Sequence, residues 1–457
     1  SNGKITSAIK LSDLSGEYNI KSRQVIIYGL GYVGLTLALV MAEAGFRVVG
    51  FDKNKNLIDK IKNKKITFFE NGLQNYLNNY IDNKLSVTNS LKNISGDIHI
   101  ISVGTPVNKK TKKIEFTSLK DVAQKISKIL KKNDVVILRS TVEIGTTRKV
   151  VLPILEKSGL ISGKDFFLSF CPERTIEGKA LEELKILPQI IGGFCKVSTE
   201  LSSRIFNEYT PTIINVDSLE GAEMCKLMDN TFRDVIFSYS NQISTLAEKL
   251  GLNLPELIGK INLNYGRNII PKPSPGVGGP CLSKDPYILN SSFIKYKIPY
   301  SLTKSARYIN ETSVQNIFKR IKLFFKKQRK NLKNANIFLS GVAFKGSPET
   351  SDIRDSSSLL FLEQLKKFGC KKILIHDFLA NKKELKSLGY RFAEFKDGFN
   401  KADVVILFNN HKNYKNYDIN KLLKKSNKPL LFYDCWQMYN HREVSKIPGV
   451  NYFSVGF

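Results

Sequence analysis

The stretch from Val277 to Pro286 (Val-Gly-Gly-Pro-Cys-Leu-Ser-Lys-Asp-Pro) carries the residue types best suited to chemistry in this 457-residue chain. Two adjacent glycines let the backbone approach a ligand closely, and the flanking prolines oppose helix formation. The loop delivers a thiol, Cys281, followed by a cation, Lys284, and a carboxylate, Asp285. Nearby positive charge lowers the pKa of a cysteine and makes it a nucleophile. The alternative is that Cys281 is a buried free thiol, as many cysteines are.

A dinucleotide-binding fingerprint lies near the start of the chain. The pattern predicts a strand at 24–28 and a glycine turn, Gly29-Leu30-Gly31-Tyr32-Val33-Gly34. An apolar helix follows at 35–44, then a second strand at 46–51 that ends in an acid, Asp52. In this context the three glycines make the turn, admit the pyrophosphate and let helix and strand pack, while the helix N-terminus faces the phosphates. Asp52 would accept hydrogen bonds from a ribose diol, which favours NAD over NADP. The neighbouring Lys53 and Lys55 weaken that argument.

Further strands follow at the intervals expected of a doubly wound sheet. They are predicted at 97–103, 134–138 and 166–170. Ligands in such sheets lie outside the carboxyl ends of the strands, so Thr105 and Thr141, which follow the first two, are expected beside the cofactor. The third strand leads into a loop with two carboxylates four residues apart, Glu173 and Glu177. Taken alone, these two acids also fit the start of a surface helix.

A long helical pattern covers residues 217–250. It begins with a capping-box-like Asp217 and stops at Gly251. Its apolar residues occupy much of the circumference: Leu227, Met228, Phe232, Val235, Ile236, Phe237, Ile243 and Leu246. Such a helix must be buried between domains or between subunits. Lys226 and Asn230 share one face, and a lysine in an apolar helix requires a partner or a ligand.

A second open α/β unit begins after a lysine- and asparagine-rich linker, 326–334, and the chain between Cys281 and about Arg320 is predicted to be helical. The predicted elements of this unit are strand 337–340, loop 341–354, helix 359–368 and strands 372–376, 404–408 and 430–433. The fold class is therefore α/β, with two Rossmann-like doubly wound domains joined by a central helical region with one long helix. The predicted parts are a tag or disordered extension (1–21), a first Rossmann domain (22–215), a helical centre (216–325) and a second α/β domain (326–457).

Composition bounds the class of protein. The chain is 42% hydrophobic and 25% charged, as globular proteins are, and no run approaches the roughly 20 apolar residues of a membrane span. Six scattered cysteines without a CxxC pair argue against a zinc site or a disulfide scaffold and favour the reducing cytoplasm. The formal charge of +30 fits a solvated lysine-rich surface, attraction of an anionic small molecule, or nucleic-acid binding. No basic stripe with interleaved aromatics stands out.

With these pieces assembled, the chain resembles the UDP-glucose/GDP-mannose dehydrogenase family of nucleotide-sugar 6-dehydrogenases over about residues 24–440. The markers stand in the family's order: Gly29-x-Gly31-Tyr32-Val33-Gly34, Gly104-Thr105-Pro106, Ser140-Thr141, Pro172-Glu173-Arg174, Lys226-x-x-x-Asn230, Gly278-Gly279-x-Cys281-x-x-Lys284-Asp285 and Ala343-Phe344-Lys345. Each marker alone is weak, but the ordered set is specific.

The resemblance implies a four-electron, NAD-dependent oxidation of a sugar C6 alcohol to a uronate through a thiohemiacetal and a thioester on Cys281. It implies catalytic roles for Cys281, Lys226, Asn230, Asp285, Thr141 and Glu177. It implies cofactor binding by Gly29, Gly31, Tyr32, Val33, Gly34, Asp52, Thr105, Thr141, Lys284 and Arg354. It implies substrate binding by Glu173, Arg174, Glu177, Lys226, Asn230, Arg267, Gly278 and Lys345.

The chain departs from the family pattern at two places, the first at a cofactor residue and the second at a substrate contact. Arg354 follows Lys345 by nine residues, two more than usual, and Asp434-Cys435-Trp436 stands where some UDP-glucose enzymes carry an Asp-Gly-Arg contact. The chain is more similar to members that oxidise 2-acetamido sugars, UDP-N-acetylmannosamine above all. UDP-N-acetylglucosamine and UDP-glucose stay open as alternatives.

The resemblance also implies a homodimer through the long helix, with Arg267 reaching the neighbouring subunit's site, and no nucleic-acid, membrane or metal partner. Two other classes compete. A two-electron dehydrogenase of the 3-hydroxy-acid kind would share the first domain but need neither Cys281 nor a second α/β domain. A basic nucleic-acid-binding protein would explain the charge but not the ordered motifs.

Overall fold

The structure is a computed structural model that describes residues 19–457. Residues 1–18 of the predicted extension lie outside the described residues. A short 3-10 turn, Ile20–Ser22, buries Ile20 in the core, so the predicted extension includes at least one residue that packs on the first domain. The chain divides into a first unit, up to Asp229 with Tyr287–Ile298, and a second unit, Asn230–Pro286 with Pro299–Phe457. The predicted division into three folded parts stays a prediction.

The first unit is built on an eight-stranded sheet. Its strands are β1 (Val25–Tyr28), β2 (Val48–Phe51), β3 (Leu85–Thr88), β4 (Ile98–Ile101), β5 (Val135–Leu138), β6 (Phe167–Phe170), β7 (Gln189–Gly193) and β8 (Ile213–Asn215). Their order is β3-β2-β1-β4-β5-β6-β7-β8, and every pair is parallel except β6 with β7. The register places Val25 opposite both Val48 and Ile98. The predicted doubly wound sheet is confirmed.

Helices cover both faces of this sheet, which explains why its central strands are largely apolar and fully buried. The helices are α1 (Tyr32–Glu43), α2 (Lys55–Lys62), α3 (Leu73–Tyr80), α4 (Thr117–Ile129), α5 (Leu152–Leu155), α6 (Ala180–Ile186) and α7 (Lys196–Asn207). One row of hydrogen-bonded polar side chains is buried inside this unit. The ring of His99 bonds the Tyr28 hydroxyl at 2.9 Å and the Asp134 carboxylate at 3.1 Å, so both ring nitrogens are satisfied.

Four helices form the middle of the chain: α8 (Leu219–Leu250), α9 (Leu254–Ile261), α10 (Asp285–Lys295) and α11 (Ser301–Lys327). The predicted cap of α8 is wrong by one residue. The Ser218 hydroxyl accepts the Gly221 amide at 2.9 Å, whereas Asp217 lies just outside in the left-handed region, at φ 56°. Gly251, at φ 67°, ends the helix as predicted. The helical region after Cys281 is interrupted between α10 and α11, and α11 continues into the predicted linker.

α8 is predicted to be buried between domains or between subunits, and one chain alone covers only part of it. Within the chain its buried positions in the second unit are largely polar, among them Asp234 and Asn241. The large apolar side chains Phe232, Tyr239 and Leu246 are exposed instead, at 65%, 55% and 56%. An apolar surface of this kind on a long helix is typical of an interface.

The second unit contains a six-stranded parallel sheet. Its strands are β9 (Asn336–Ser340), β10 (Lys372–His376), β11 (Arg391–Phe392), β12 (Val404–Leu407), β13 (Leu430–Asp434) and β14 (Val450–Phe453). The helices around it are α12 (Ser357–Phe368), α13 (Lys382–Ser387), α14 (Phe395–Gly398), α15 (Ile419–Leu423) and α16 (His441–Val444). The order β11-β10-β9-β12-β13-β14 repeats that of the first six strands of the first sheet. The prediction of two Rossmann-like domains joined by a helical region is confirmed.

Candidate active site

The glycine turn after β1 has the shape that a dinucleotide requires. Gly29 is left-handed, at φ 92°, and a Cβ there would lie 2.9 Å from the Ser102 carbonyl oxygen. A Cβ at Gly34 would lie 1.7 Å from the Gly29 carbonyl oxygen, so this glycine lets α1 pack against the turn. A Cβ at Gly31 would meet no atom within 4 Å, so this position faces open space at the N-terminus of α1. The turn thus leaves room for a pyrophosphate where the helix amides begin.

Asp52 lies at the carboxyl end of β2, half-buried. Its two carboxylate oxygens accept the backbone amides of Leu30 and Asn54, each at 2.9 Å. These bonds fix the carboxylate against the glycine turn while each oxygen keeps a lone pair for a further donor. The arrangement fits the two hydroxyls of an adenosine ribose, which NAD offers and NADP does not.

Replacing Asp52 with alanine is expected to weaken NAD binding by about 1–3 kcal/mol, because ribose hydroxyls lose a charged acceptor. NAD and NADP dissociation constants are measured by calorimetry for the wild type and the variant. Asp59→Ala, an exposed acid on α2, serves as the control and leaves NAD affinity unchanged. A wild-type protein that bound NADP more tightly than NAD would show that Lys53 and Lys55 outweigh Asp52.

Tyr32 and Val33, predicted at the cofactor, start α1 and are both half-buried. The Tyr32 hydroxyl is hydrogen-bonded within the protein. It donates to the Glu70 carboxylate at 2.5 Å, and the ring stacks on Phe68 at 4.1 Å between centroids. Any contact of Tyr32 with the cofactor therefore comes from its backbone or its ring.

The carboxyl ends of β4 and β5 meet, as the sheet topology predicts. The Thr105 hydroxyl donates to the Thr141 carbonyl oxygen at 2.5 Å. Glu223, on the first turns of α8, accepts the amides of Gly145 and Thr147 at 3.0 and 3.1 Å. Burial raises the pKa of Glu223 to about 7. This glutamate, which the sequence analysis did not single out, holds the loop that carries Thr141.

The loop after β6 brings Glu173, Arg174 and Lys226 together within the first unit. Lys226 is 7% exposed, and its ammonium donates to the Glu173 carbonyl oxygen at 2.5 Å. The Glu173 carboxylate accepts the amide and hydroxyl of Thr175. Arg174 forms an ion pair of 2.9 Å with Asp229. The buried cation that the sequence predicts is present, and it is fixed by a backbone carbonyl.

Glu70 holds the far end of the same loop, and no sequence signal pointed to it. Its carboxylate accepts the amides of Gly178 and Ala180, each at 2.8 Å, in addition to the Tyr32 hydroxyl. Burial raises the pKa of this carboxyl above its usual range. Glu177, half-buried, directly precedes Gly178, which is left-handed at φ 97°. One carboxylate therefore ties the start of α1 to the loop of Glu173 and Glu177.

Cys281, in the second unit, is exposed, whereas Cys370 and Cys435 of the same unit and Cys171 of the first unit are buried. The alternative of a buried Cys281 is therefore wrong. The thiol lies in the turn leading into α10, where the Asp285 amide donates to the Cys281 carbonyl oxygen at 2.8 Å. An exposed thiol just before a helix N-terminus is in the surroundings of a reactive cysteine.

Asp285 itself is fully buried. One carboxylate oxygen accepts the Asn230 side-chain amide at 2.6 Å. The other has no hydrogen-bond partner among residues 19–457, and its closest cation is the Lys284 ammonium at 4.0 Å. A buried carboxylate oxygen without a hydrogen bond marks a place for a water molecule or a ligand group.

Gly278 and Gly279 allow the thiol loop to pack closely on the loop after β9. The Gly279 amide donates to the Asp355 carbonyl oxygen at 2.9 Å. A Cβ at Gly278 would lie 2.3 Å from that same oxygen, and one at Gly279 would lie 2.5 Å from the Phe344 ring. Neither position tolerates a side chain without displacing the loop.

Three predicted cations of the second unit lie in different surroundings. Lys345 is half-buried in the loop after β9. Arg354 is exposed and pairs with Asp352, with contacts of 2.6 to 3.0 Å. Arg267 lies in an exposed loop after α9, next to Ile269, which is 83% exposed. Arg354 is predicted to contact the cofactor, but in this structure its guanidinium is bound to the Asp352 carboxylate.

Comparison with protein-family models gives matches over most of the chain, all from the UDP-glucose/GDP-mannose dehydrogenase family. The NAD binding domain matches residues 23–210, the central domain 220–312 and the UDP binding domain 338–441.

Among curated relatives, the UDP-N-acetyl-D-mannosamine dehydrogenase of Pyrococcus horikoshii is 33% identical over 344 residues, 74% of this chain and 80% of the relative. That of Campylobacter jejuni is 30% identical over 408 residues, 86% of this chain and 96% of the relative. The solved structure of the P. horikoshii UDP-D-ManNAc dehydrogenase superposes with a TM-score of 0.85 at 27% identity, covering 95% of this chain and 99% of the other. The solved structure of the Staphylococcus aureus UDP-N-acetyl-mannosamine dehydrogenase Cap5O superposes with a TM-score of 0.80 at 28% identity. The match covers 95% of this chain and 98% of the other.

Proposed function

This chain belongs to the UDP-glucose/GDP-mannose dehydrogenase family as an NAD-dependent nucleotide-sugar dehydrogenase, and on that premise we propose that it oxidises the C6 hydroxyl of a UDP-hexose to a carboxylate by four electrons. The family match to a UDP binding domain supports the UDP-sugar as substrate. The glycine turn and Asp52 would hold NAD, which would supply the oxidising power as the acceptor of two hydrides.

The covalent step belongs to Cys281. Once the alcohol has become an aldehyde, the thiolate adds to its carbonyl carbon, and the oxygen takes up a proton to give a thiohemiacetal. Loss of a second hydride and of that proton leaves a thioester. Water adds to the thioester, the carbon–sulfur bond breaks, and the uronate and the free thiol form. The sum is one alcohol, two NAD and one water converted to one carboxylate, two NADH and three protons.

Lys226 and Asn230, four residues apart along α8, would stabilise the oxyanion that develops at C6. A cation and an amide donor that are already fixed in place need little reorganisation as the charge forms, and they are therefore effective in a site with little water. Asp285 and Thr141 would hold the attacking water, and Glu177 would act as an acid or base in proton transfer.

The observation that carries this proposal is the pairing, within one unit, of the exposed Cys281 thiol with the buried Asp285 carboxylate. Asp285 keeps one oxygen without a hydrogen bond although it is fully buried. Thioester hydrolysis needs a held water, and such an oxygen is suited to accept a proton from one. Cys281 alone would support thiol chemistry of several kinds, but together with this carboxylate it supports hydrolysis of a covalent intermediate.

The remaining predicted residues are proposed to bind the substrate or the cofactor. Glu173, Arg174, Gly278, Arg267 and Lys345 would contact the nucleotide sugar. The planar guanidinium of arginine matches diphosphate oxygens, and a lysine serves as a point charge. Lys284 and Arg354 would contribute to cofactor binding. The Arg354 guanidinium would first have to leave the Asp352 carboxylate. The family pattern supports all these roles.

We propose UDP-N-acetyl-D-mannosamine as the sugar substrate and UDP-N-acetyl-D-mannosaminuronate as the product. The relatives named above carry the former in their names and are about 30% identical to this chain. UDP-N-acetylglucosamine and UDP-glucose are the alternatives. A pocket large enough for the C2 acetamido group also accepts the smaller C2 hydroxyl of UDP-glucose. Discrimination against UDP-glucose should therefore come from a hydrogen bond to the acetamido group that UDP-glucose cannot make.

UDP-glucose is therefore expected to be poorer than UDP-N-acetylmannosamine by about tenfold or more in kcat/KM, as roughly 1.4 kcal/mol would give. A panel of UDP-hexoses is assayed by the absorbance of NADH, with NAD saturating and equal enzyme in every well. If UDP-glucose gave the highest kcat/KM, the acetamido assignment would be wrong while the family assignment stood.

We propose that two chains associate through α8. The exposed apolar side chains of this helix, Phe232, Tyr239 and Leu246, would then be covered by their counterparts. Arg267, in an exposed loop rich in apolar residues, would reach the partner's site. Light scattering checks the assembly: a molar mass of a single chain, 51.7 kDa, at assay concentration would contradict it.

The reducing cytoplasm is the proposed location, because the six cysteines, all among the described residues, form no disulfide. Within residues 19–457 no helix is long and apolar enough to cross a bilayer. We propose no nucleic-acid partner, since the charge of +30 is spread along the whole chain. A two-electron oxidation remains the competing reaction, and it would produce one NADH per UDP-sugar instead of two.

A further inference from the structure

A buried arginine lies beneath the thiol loop. Arg307, on α11, is 1% exposed, although arginines are rarely buried so completely. One of its terminal nitrogens donates to the Leu282 carbonyl oxygen at 2.8 Å, and the other to the Val277 carbonyl oxygen at 2.7 Å. The two carbonyls flank Gly278-Gly279-Pro280-Cys281, so a single guanidinium holds both ends of the segment that carries the thiol.

The charge of Arg307 is balanced by Asp234 on α8, which is fully buried and 3.0 Å away. Asn310, one turn further along α11, donates to the Asp234 carboxylate at 2.7 Å and to its carbonyl oxygen at 2.9 Å. Asn241 donates to the Asn310 side chain at 2.9 Å and accepts the Ser274 amide at 2.7 Å. The network thus joins α8, α11 and the start of the thiol loop, all within the second unit.

Stability alone does not account for this network. Two buried charges lose their hydration, and a well-packed apolar pair of equal volume is often as stable or more stable. What an apolar pair could not do is bond two loop carbonyls at once, for which the planar, forked guanidinium is suited. The loop between those carbonyls needs such support, because its two glycines have more conformational freedom than other residues.

We propose that Arg307 is a positioning residue that fixes the Cys281 loop for the covalent step of the reaction, an inference that rests on the proposed function. The thiol must meet the aldehyde carbon in a defined direction, and a misplacement of about 1 Å can cost on the order of 10²-fold in rate. The first oxidation, from alcohol to aldehyde, does not use the thiol. Loss of Arg307 should therefore impair the second oxidation more than the first.

The variant Arg307→Lys tests this role. Lysine keeps the positive charge opposite Asp234, but its compact ammonium does not bridge two carbonyls as the planar fork does. With UDP-N-acetylmannosamine, or the best substrate of the panel, uronate formation should fall by about tenfold or more, and part of the aldehyde should escape. Semicarbazide in the assay traps that aldehyde for mass spectrometry. Each escaped aldehyde leaves one NADH behind, so the ratio of NADH to uronate rises above two.

A merely structural role would not change this ratio, because a less stable enzyme loses both oxidations in proportion. Iodoacetamide labelling with peptide mass spectrometry controls for folding. Cys171, Cys370 and Cys435 are buried and stay unlabelled while the fold is intact. Arg329→Lys, the same exchange at an exposed position just past α11, is the matched control and should behave as the wild type.

If Arg307→Lys exposes the buried cysteines, the double variant Arg307→Met with Asp234→Asn removes both charges and repeats the comparison in a neutral interior. A variant that is folded, yet keeps two NADH per uronate and releases no aldehyde, overturns the proposal, whether or not its turnover is lower. The proposed function fails separately: in that case the wild type itself yields one NADH per UDP-sugar and no uronate.

Discussion

Replacing Cys281 with serine is expected to lower uronate formation by on the order of 10³-fold or more while leaving NAD binding unchanged. Serine is nearly isosteric, but its hydroxyl is far less acidic than a thiol and is a poor nucleophile without an adjacent base. The cofactor affinity should be retained because the glycine turn and Asp52 belong to the first unit, whereas Cys281 belongs to the second. Uronate is quantified by mass spectrometry, and NAD affinity by calorimetry.

Cys195→Ser is the matched control for this experiment. Cys195 is half-buried at the start of α7, where its sulfur contacts the Ser198 hydroxyl at 3.4 Å, and no role in the reaction is proposed for it. This variant should keep wild-type turnover. Wild-type uronate formation by Cys281→Ser would remove the thiol from the mechanism and leave Asp285 without a thioester to hydrolyse.

Replacing Lys226 with methionine is expected to lower kcat by about 10²–10³-fold, the usual loss when one donor to a developing oxyanion is removed. The methionine side chain is similar in length to that of lysine but lacks the charge and the donor protons. Because Lys226 is 7% exposed and its ammonium is anchored on the Glu173 carbonyl, its charge is more effective than one in water. Steady-state kinetics with the preferred UDP-sugar measure the change.

Lys249→Met is the control, since this lysine is exposed near the end of the same helix. Its kinetics should match those of the wild type, which would show that loss of a lysine from α8 has no general effect. If Lys226→Met raised KM and left kcat unchanged, the ammonium would bind the ground state and transition state equally. Its proposed role at the oxyanion would then be wrong.

The sheets of both units followed from the sequence for a simple physical reason. Parallel strands covered on both faces are short apolar runs, and glycine turns or acids mark their carboxyl ends. β1, β5 and β10 were predicted within one residue of their observed bounds. β3, β7, β8, β11 and β14 were not predicted. β8 and β11 have only three and two residues, and β3 and β14 have mixed, partly exposed sequences. β7 ends in two glycines and is antiparallel to β6.

The cap of α8 shows where local patterns fail. Asp217 and Ser218 are both good N-caps, and the sequence does not say which one leaves the helix. Backbone geometry decides: Asp217 takes the left-handed conformation, so Ser218 bonds the Gly221 amide. Likewise, the apolar residues of α8 signal burial, but not whether the cover comes from the same chain.

The supporting residues of the candidate site were out of reach of sequence reasoning. Glu70 meets Gly178 across 108 positions, and Arg307 meets Val277 across 30. Neither stands in a motif, because a carboxylate or guanidinium that binds backbone amides or carbonyls needs no particular partner side chain. Motifs identify groups that meet ligands, whereas the groups that position them appear only in three dimensions.

The number of NADH molecules formed per UDP-sugar consumed tests the central claim most directly. Purified enzyme is given a limiting amount of UDP-N-acetylmannosamine with excess NAD, and the final absorbance is compared with the uronate found by mass spectrometry. The proposed four-electron reaction gives two NADH and one uronate for each UDP-sugar. One NADH and an aldehyde or ketone product would contradict it and show a two-electron dehydrogenase on the same fold.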